Sequence, residues 1–414
     1  MTRGLAWTLA ALAAVLAAAA VRAAAAAGVD QAPGQRFEVG AADMPPPRAT
    51  PSATNPPRRV SRPADAALIL PAGFAANVYA KGLSHARWMA VAPNGDVFLA
   101  EPRAGKVTLL RDADGDGRAD LKTTFAKGFS RPHGLAFHGG YLYVADTRRV
   151  WRLPYHPGQT IGGHRPEPVT AAGALGAGSG HWTRNIAISP DGRRLYVAIG
   201  SSGNIGEEPE PRATVQVFDL EGGGQETFAA GLRNPVGIAF YPGTDDLYVV
   251  VNERDGLGDD LVPDYLSRLE PGGFYGWPYA YIGPNPQPGY ADRRPDLVAR
   301  TIVPDVLFQA HSAPLGLVFY DADQFPAEHL GDAFVAFRGS WNSAKPTGYK
   351  VVRVPFEDGR PVGYYENFAT GFWIAGAATA KVWGRPVGLA IAADGSLLVA
   401  DDVGQTIWRI SYRR

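Results

Sequence analysis

Two acidic loops and a dispersed set of arginines and histidines are the residues of this chain best suited to chemistry. The run Asp112-Ala113-Asp114-Gly115-Asp116-Gly117-Arg118-Ala119-Asp120 matches the first nine positions of an EF-hand calcium loop, including glycine at position six. Position twelve is Thr123 instead of a bidentate glutamate, and the loop falls between expected strands. A weak structural Ca2+ site on Asp112, Asp114, Asp116, Arg118 and Asp120 therefore stands beside a plain Asp/Gly turn. The second loop, Asp255-Gly256-Leu257-Gly258-Asp259-Asp260, offers hard oxygen ligands or forms a solvated acidic turn. Arg87, His133, His181, Arg233-Asn234 and Arg385 each come shortly before an apolar run, and His311 lies near another. Guanidinium groups pair carboxylates through a planar fork, so such a set suits an anionic ligand. Any single member could instead cap a strand or pair with a loop carboxylate. There is no cysteine, which excludes a thiol nucleophile, thiolate-held zinc or iron–sulfur, and a disulfide scaffold.

The elements that must carry these residues repeat. An apolar-Ala-apolar run, a turn such as Pro-Asp-Gly, and a second apolar run recur from Ala66 onward. His85-Ala86-Arg87-Trp88-Met89-Ala90-Val91 leads through Pro93-Asn94-Gly95 to Val97-Phe98-Leu99-Ala100. Arg385-Pro386-Val387-Gly388-Leu389-Ala390-Ile391 leads through Asp394-Gly395 to Leu397-Leu398-Val399-Ala400-Asp401. The anchor residues Ala90, Ala136, Ala187, Ala239, Val318 and Ala390 are 46, 51, 52, 79 and 72 residues apart. The runs are rich in Val, Ile, Leu, Phe and Tyr, and the turns in Gly, Asp, Asn and Pro. The first three spacings suit a four-stranded blade, and the last two leave room for insertions. No stretch of the repeat region has a helical period. The expected fold is all-β, a six-bladed β-propeller, with two β-sandwiches as the competing arrangement. In a propeller the residues just before each innermost strand share one channel mouth, which would gather the arginines and histidines.

Length and composition agree with one large repeat domain. The chain has 414 residues, longer than the roughly 250–300 at which a single core stops growing, so two domains or a repeat array are required. Forty basic and 40 acidic side chains cancel, which argues against nucleic acid as a partner. Arg3, the apolar run from Leu5 to Val21 and the small residues Ala23 to Ala27 predict a signal peptide over residues 1–27. The alternative is a membrane anchor, but the run is only about 17 residues, mostly alanine, and is closed by Arg22. No later segment is long enough to span, so no stable membrane span is expected after cleavage, and the protein should be periplasmic or secreted. Residues 28–65, punctuated by Pro45-Pro46-Pro47, Pro51, Pro56-Pro57 and Pro63, predict a flexible or extended linker. The propeller is expected over 66–414.

Several stretches resemble the soluble quinoprotein dehydrogenases that bind pyrroloquinoline quinone (PQQ), the glucose/sorbosone dehydrogenase family, and most of all its sorbosone branch. They are Gly180-His181-Trp182-Thr183-Arg184-Asn185, Gly231-Leu232-Arg233-Asn234-Pro235-Val236-Gly237, Asn252-Glu253-Arg254-Asp255-Gly256-Leu257-Gly258-Asp259-Asp260-Leu261, Gly272-Gly273-Phe274-Tyr275-Gly276-Trp277-Pro278-Tyr279 and Gly339-Ser340-Trp341-Asn342. The resemblance implies a six-bladed propeller that oxidises an aldose, sorbosone or a related sugar aldehyde by hydride transfer to the quinone. A cytochrome or a quinone would take the electrons onward. It implies PQQ and calcium as cofactors, Arg233 and Arg385 as clamps on the cofactor carboxylates, and Asn234 as a neutral hydrogen bond. His181 matches the family's base position, and an imidazole suits proton removal near neutral pH; His133 and His311 are the other candidates. Arg233 would also stabilise developing negative charge. Backbone carbonyls at Asp255 and Gly256 match those that hold the family's calcium. An Asp-Gly pair replaces the Gly-Pro of the glucose-oxidising branch, which brings in the Asp255 side chain, with Asp259 and Asp260 nearby. Arg338 stands where related sequences carry His, and its guanidinium is either a further cofactor clamp or a change in substrate choice. Trp182, Trp341 and Trp373 are candidates for stacking on a sugar, or packing residues. Two other functions stay open, a calcium-dependent lactonase-type hydrolase and a non-catalytic binding propeller.

Overall fold

The computed structural model describes residues 30–413, so the predicted signal peptide lies outside the described residues. The chain is all-β, and among the described residues the only α-helix is the short Pro295–Ala299. Six sheets of four or five strands carry the repeats. In the first, Met89–Val91, Val97–Glu101, Lys106–Arg111 and Leu121–Lys127 follow one another as an antiparallel meander. Gly95 makes the first turn at φ +88°, with its N–H bonded back to the carbonyl of Ala92. The second strands of four sheets, Val97–Glu101, Leu247–Val251, Ala333–Phe337 and Leu397–Asp401, are buried along their whole length. Their apolar residues do not alternate with polar ones, because neighbouring sheets cover both faces.

The lead strands of the six sheets are Met89–Val91, Leu135–His138, Arg184–Ile188, Pro235–Phe240, Pro314–Phe319 and Pro386–Ile391. Each contacts the next, and the sixth contacts the first. Six separate hydrophobic clusters fill the spaces between adjacent sheets. No hydrogen-bonded sheet closes on itself; the ring consists of sheets packed face to face. Its ends meet in the last sheet, where Phe74–Lys81 pairs antiparallel with the C-terminal strand Thr406–Tyr412. Glycines let the lead strands approach. A Cβ on Gly388 would sit 1.9 Å from the carbonyl oxygen of Arg87, and one on Gly237 2.6 Å from that of Leu315.

The segment expected to be a flexible or extended linker is extended but not free. Arg36–Phe37 adds a fifth strand beside Tyr365–Ala369, and the Phe37 ring stacks on Tyr365 at 5.1 Å. Arg58–Arg59 pairs in parallel with Lys381–Val382. Asp30 meets the buried Lys350 ammonium at 3.3 Å. Proline and small residues leave this stretch without a core of its own, but it docks on one supplied by the ring.

Candidate functional site

A cavity of about 690 Å3 opens where the chain enters the lead strands, and every one of the six sheets contributes to its wall. Arg87, Arg131, His181, Arg233, Ala313 and Arg385, each one to four residues before a lead strand, line it. The expected gathering of cationic residues at one mouth is therefore present, with Arg103, Arg338 and Asn234 beside them.

His181 is presented by a tight loop. Gly180 adopts φ +65°, and a Cβ there would fall 2.1 Å from the carbonyl oxygen of Ser202. Buried Arg184 holds the loop from inside, donating to the carbonyls of Leu175, Ala177, His181 and Thr183. Ser201 donates its hydroxyl to the Gly203 carbonyl, so its oxygen and its carbonyl accept from Nδ1–H of His181 at 2.9 and 3.0 Å. That network fixes the tautomer with Nε2 as the acceptor, the form a proton-abstracting base needs. Burial, reinforced by the positive charge of Arg233, lowers the imidazole pKa to about 3, so the base is neutral across the physiological range.

The other two histidine candidates are committed elsewhere. His311 accepts from Nδ2 of Asn342 at 3.0 Å and donates from Nε2 to the Gly258 carbonyl at 2.9 Å. His133 is buried between Trp88 and Trp182 and is not on the cavity wall.

The arginines divide into two groups. Arg233 reaches five protein acceptors: the carbonyls of Asn204, Asn252 and Glu253, Oδ1 of Asn204 and Oδ2 of Asp255. All its N–H groups are used, so the strand-end ion pair accounts for its geometry and its direct role as a clamp does not show. Elsewhere on the wall, Arg87 and Arg338 share one oxygen of Asp402, at 3.0 and 2.9 Å. These guanidiniums hold the Asp402 carboxyl well below the usual carboxylate range despite its burial. Arg87 keeps a buried Nε with no hydrogen-bond partner. Arg385 donates to the carbonyls of Arg338 and Gly339. Trp182 lies under two guanidiniums, Arg131 at 4.2 Å and Arg87 at 5.3 Å from its ring centre. Asn234 lines the cavity with its Oδ1 buried and unpartnered.

The predicted metal residues do not come together. The Asp255 carbonyl accepts from Nδ2 of Asn204 at 2.9 Å and from Nε of Arg254 at 3.0 Å, which occupies both its lone pairs. The Asp255 carboxylate is bonded to Asn342 and Arg233. The Arg254 guanidinium lies against Gly256. A cation thus already sits at the pair of residues expected to hold calcium, and the arrangement does not fit the ion there. Asp259 turns away, accepting from Ala344 N–H at 2.8 Å, and with exposed Asp260 lines a different cavity. Asp112, Asp114 and Asp116 place carboxylate oxygens within 4.8 Å of one another, the one such cluster among the described residues. Asp120 caps the same loop at the Ala113 N–H, and Arg118 lies 3.9 Å from Asp116. The loop is a hairpin connection outside the main cavity. The lactonase alternative needs acidic ligands converging on a central metal, and this cavity has no such cluster among the described residues.

Trp182 and the half-exposed Trp341 border the cavity, whereas Trp373 is buried, donates to the Ala375 carbonyl and packs on Tyr349. Sequence reasoning overlooked His85, Arg131, Arg103, Asn204, Glu253 and Asp402. His85 and Arg131 share a signal: both adopt positive φ, +61° and +56°, ahead of a lead strand, where a non-glycine residue is costly. Glu253 and Asp264 are buried carboxyls, pushed up by burial to about 7 and about 8.

The chain that forms this all-β ring and its cationic cavity matches the glucose/sorbosone dehydrogenase family model over residues 209–340. The chain belongs to the TrAA12-like family, whose model matches residues 68–271 and 295–413. It is 26% identical over 415 aligned positions to the pyrroloquinoline quinone-dependent pyranose dehydrogenase of Coprinopsis cinerea, covering 82% of this chain and 54% of that protein. The chain thus spans about half the length of that relative. The holo PQQ domain of pyranose dehydrogenase from the same fungus superposes with a TM-score of 0.70 at 21% identity, covering 85% of this chain and all of that one. The PQQ-bound aldose sugar dehydrogenase of Streptomyces coelicolor superposes at 0.56 and 18% identity, covering 85% and 99%. The kinship read from the motifs is borne out: the Coprinopsis and Streptomyces proteins are PQQ-dependent sugar dehydrogenases, a class of oxidoreductases.

Proposed function

We propose that the chain is an exported PQQ-dependent dehydrogenase of an aldose, sorbosone or a related sugar aldehyde, built as a six-bladed β-propeller. The ring of six lead strands supports the blade count. The observation that carries the function is His181, its Nδ1 anchored on Ser201 and Nε2 left as acceptor, on a cavity wall facing arginines.

The wall fits a flat polyanion. Arg87, Arg338 and Arg385 face it with one ionised carboxylate, Asp402, between them, and Asn234 adds a neutral amide to the wall. When bound, PQQ supplies the ortho-quinone that accepts hydride. His181 removes, at Nε2, the proton of the C1 hydroxyl of an aldose or of a hydrated aldehyde, and the carboxylates of a bound polyanion raise its basicity. Arg233 acts through others: it fixes the loop of Asn204, Glu253 and Asp255 at the wall. Trp341 offers an exposed ring to a sugar face at the rim. The calcium component of this reading rests on the Asp112–Asp120 loop as a structural site. No catalytic step is assigned to calcium at Asp255–Gly256.

The test is to load purified protein with PQQ and screen aldoses and sugar aldehydes for reduction of an acceptor dye. Turnover is expected, and His181→Ala should abolish it while PQQ stays bound. No PQQ binding, or full turnover in His181→Ala, would overturn the reading.

A further inference from the structure

Residues 48–55 of the docked N-terminal segment bridge two loops that build the cavity wall. One loop, Asn252 to Leu261, carries Glu253 and Asp255; the other, Gly339 to Lys345, carries Trp341 and Asn342. Arg48 N–H donates to the Leu257 carbonyl at 2.7 Å. Thr50 Oγ1 accepts from Asp259 N–H at 2.7 Å. Asn55 N–H donates to the carbonyl of Trp341 at 2.7 Å. The Asn55 amide reaches the carbonyls of Ser343 and Ala378 and accepts from Thr379. The fit at Thr50 is close: Gly258 adopts φ +113°, and a Cβ there would lie 2.8 Å from Oγ1 of Thr50. The loops are also tied to each other, by Asn342 to Asp255 and by Ala344 N–H to Asp259.

We infer that Thr50 and Asn55 are positioning residues of the site, and that residues 48–55 form a strap setting the rim Trp341 and the Asp255 loop at their working separation. Neither residue touches the cavity. Each acts through backbone groups of a loop that does. Hydrogen bonds to main chain fix a loop's path without regard to its side chains, which suits a strap that must hold two loops bearing different chemistry. The two loops lie at the cavity edge, so their position governs how a sugar enters and stacks more than it governs proton transfer at His181.

The catalytic arm of the test rests on the proposed dehydrogenase activity, and the structural arm does not. Full-length Thr50→Val and Asn55→Ala variants are compared with wild type by hydrogen exchange without cofactor. The amides of residues 252–261 and 339–345 should exchange faster, with the lead-strand amides unchanged. In the PQQ-loaded enzyme the sugar KM should rise roughly tenfold with kcat within about twofold, the size of a change expected from one or two lost hydrogen bonds. Thr50→Ser, which keeps the hydroxyl, should restore both. Unchanged exchange in the two loops overturns the inference, as does faster exchange with KM unchanged. If wild type binds no PQQ, the proposed function fails, and the strap is judged on loop exchange alone.

Discussion

Replacing Glu253 by Gln should remove a pH dependence of stability that the structure places at this side chain. Glu253 is 5% exposed, and its carboxylate accepts a single long hydrogen bond, 3.2 Å from Arg254 N–H. Burial raises its pKa from 4.5 to about 7 against the pull of Arg233. The folded-state value lies above the unfolded one. Between those values the folded chain therefore keeps a proton that the unfolded chain has released, and stability falls as pH rises. At 1.36 kcal/mol per pH unit, moving the pKa from 4.5 to about 7 costs about 3 kcal/mol by pH 8. Gln cannot ionise and escapes that cost. Asp264, raised to about 8 partly by the Glu253 charge, adds in the same direction, because removing that charge eases its own ionisation. The assay is guanidinium unfolding of both proteins at pH 5, 6.5 and 8, at constant ionic strength, followed by tryptophan fluorescence and circular dichroism. The two proteins should agree within ~1 kcal/mol at pH 5, and the variant should be more stable by up to ~3 kcal/mol at pH 8. A stability difference that is the same at all three pH values would refute the reasoning.

Two further outcomes follow from the packing and the acidic loop. Gly388→Ala drives a methyl into the Arg87 carbonyl, separating the last and first sheets of the ring, and should cost about 3 kcal/mol or more in unfolding experiments. Calcium binding at the Asp112–Asp120 loop should appear in titration calorimetry of the cofactor-free protein and vanish in Asp112→Asn/Asp114→Asn, with PQQ binding unaffected, since the loop is outside the cavity.

Much of this protein is local in origin, and that part is legible in the sequence. Strand runs, Gly-marked turns and the recurring spacing depend on residues within a few positions of each other, so the all-β repeat architecture can be read directly. The same regularity located Arg87, His181, Arg233 and Arg385, because a residue just before a lead strand has its place set by the strand. What those side chains do was decided by partners outside their own strands. Arg87 meets Asp402 across 315 positions, and Arg233 spends its donors on Asn204, Glu253 and Asp255. No local pattern announces such pairings; that of Arg87 exists only once the ring brings the last sheet beside the first, and those of Arg233 only once the loops on either side of its strand pack over it. The same holds for the N-terminal segment. Its composition truthfully says that it cannot fold on itself. Only the assembled ring, with an open strand edge at Tyr365–Ala369 and two loops offering backbone donors and acceptors, makes it a strap. Sequence determined which residues stand at the mouth, and the packing of loops and sheets around it decided which of them still have a hydrogen bond to give.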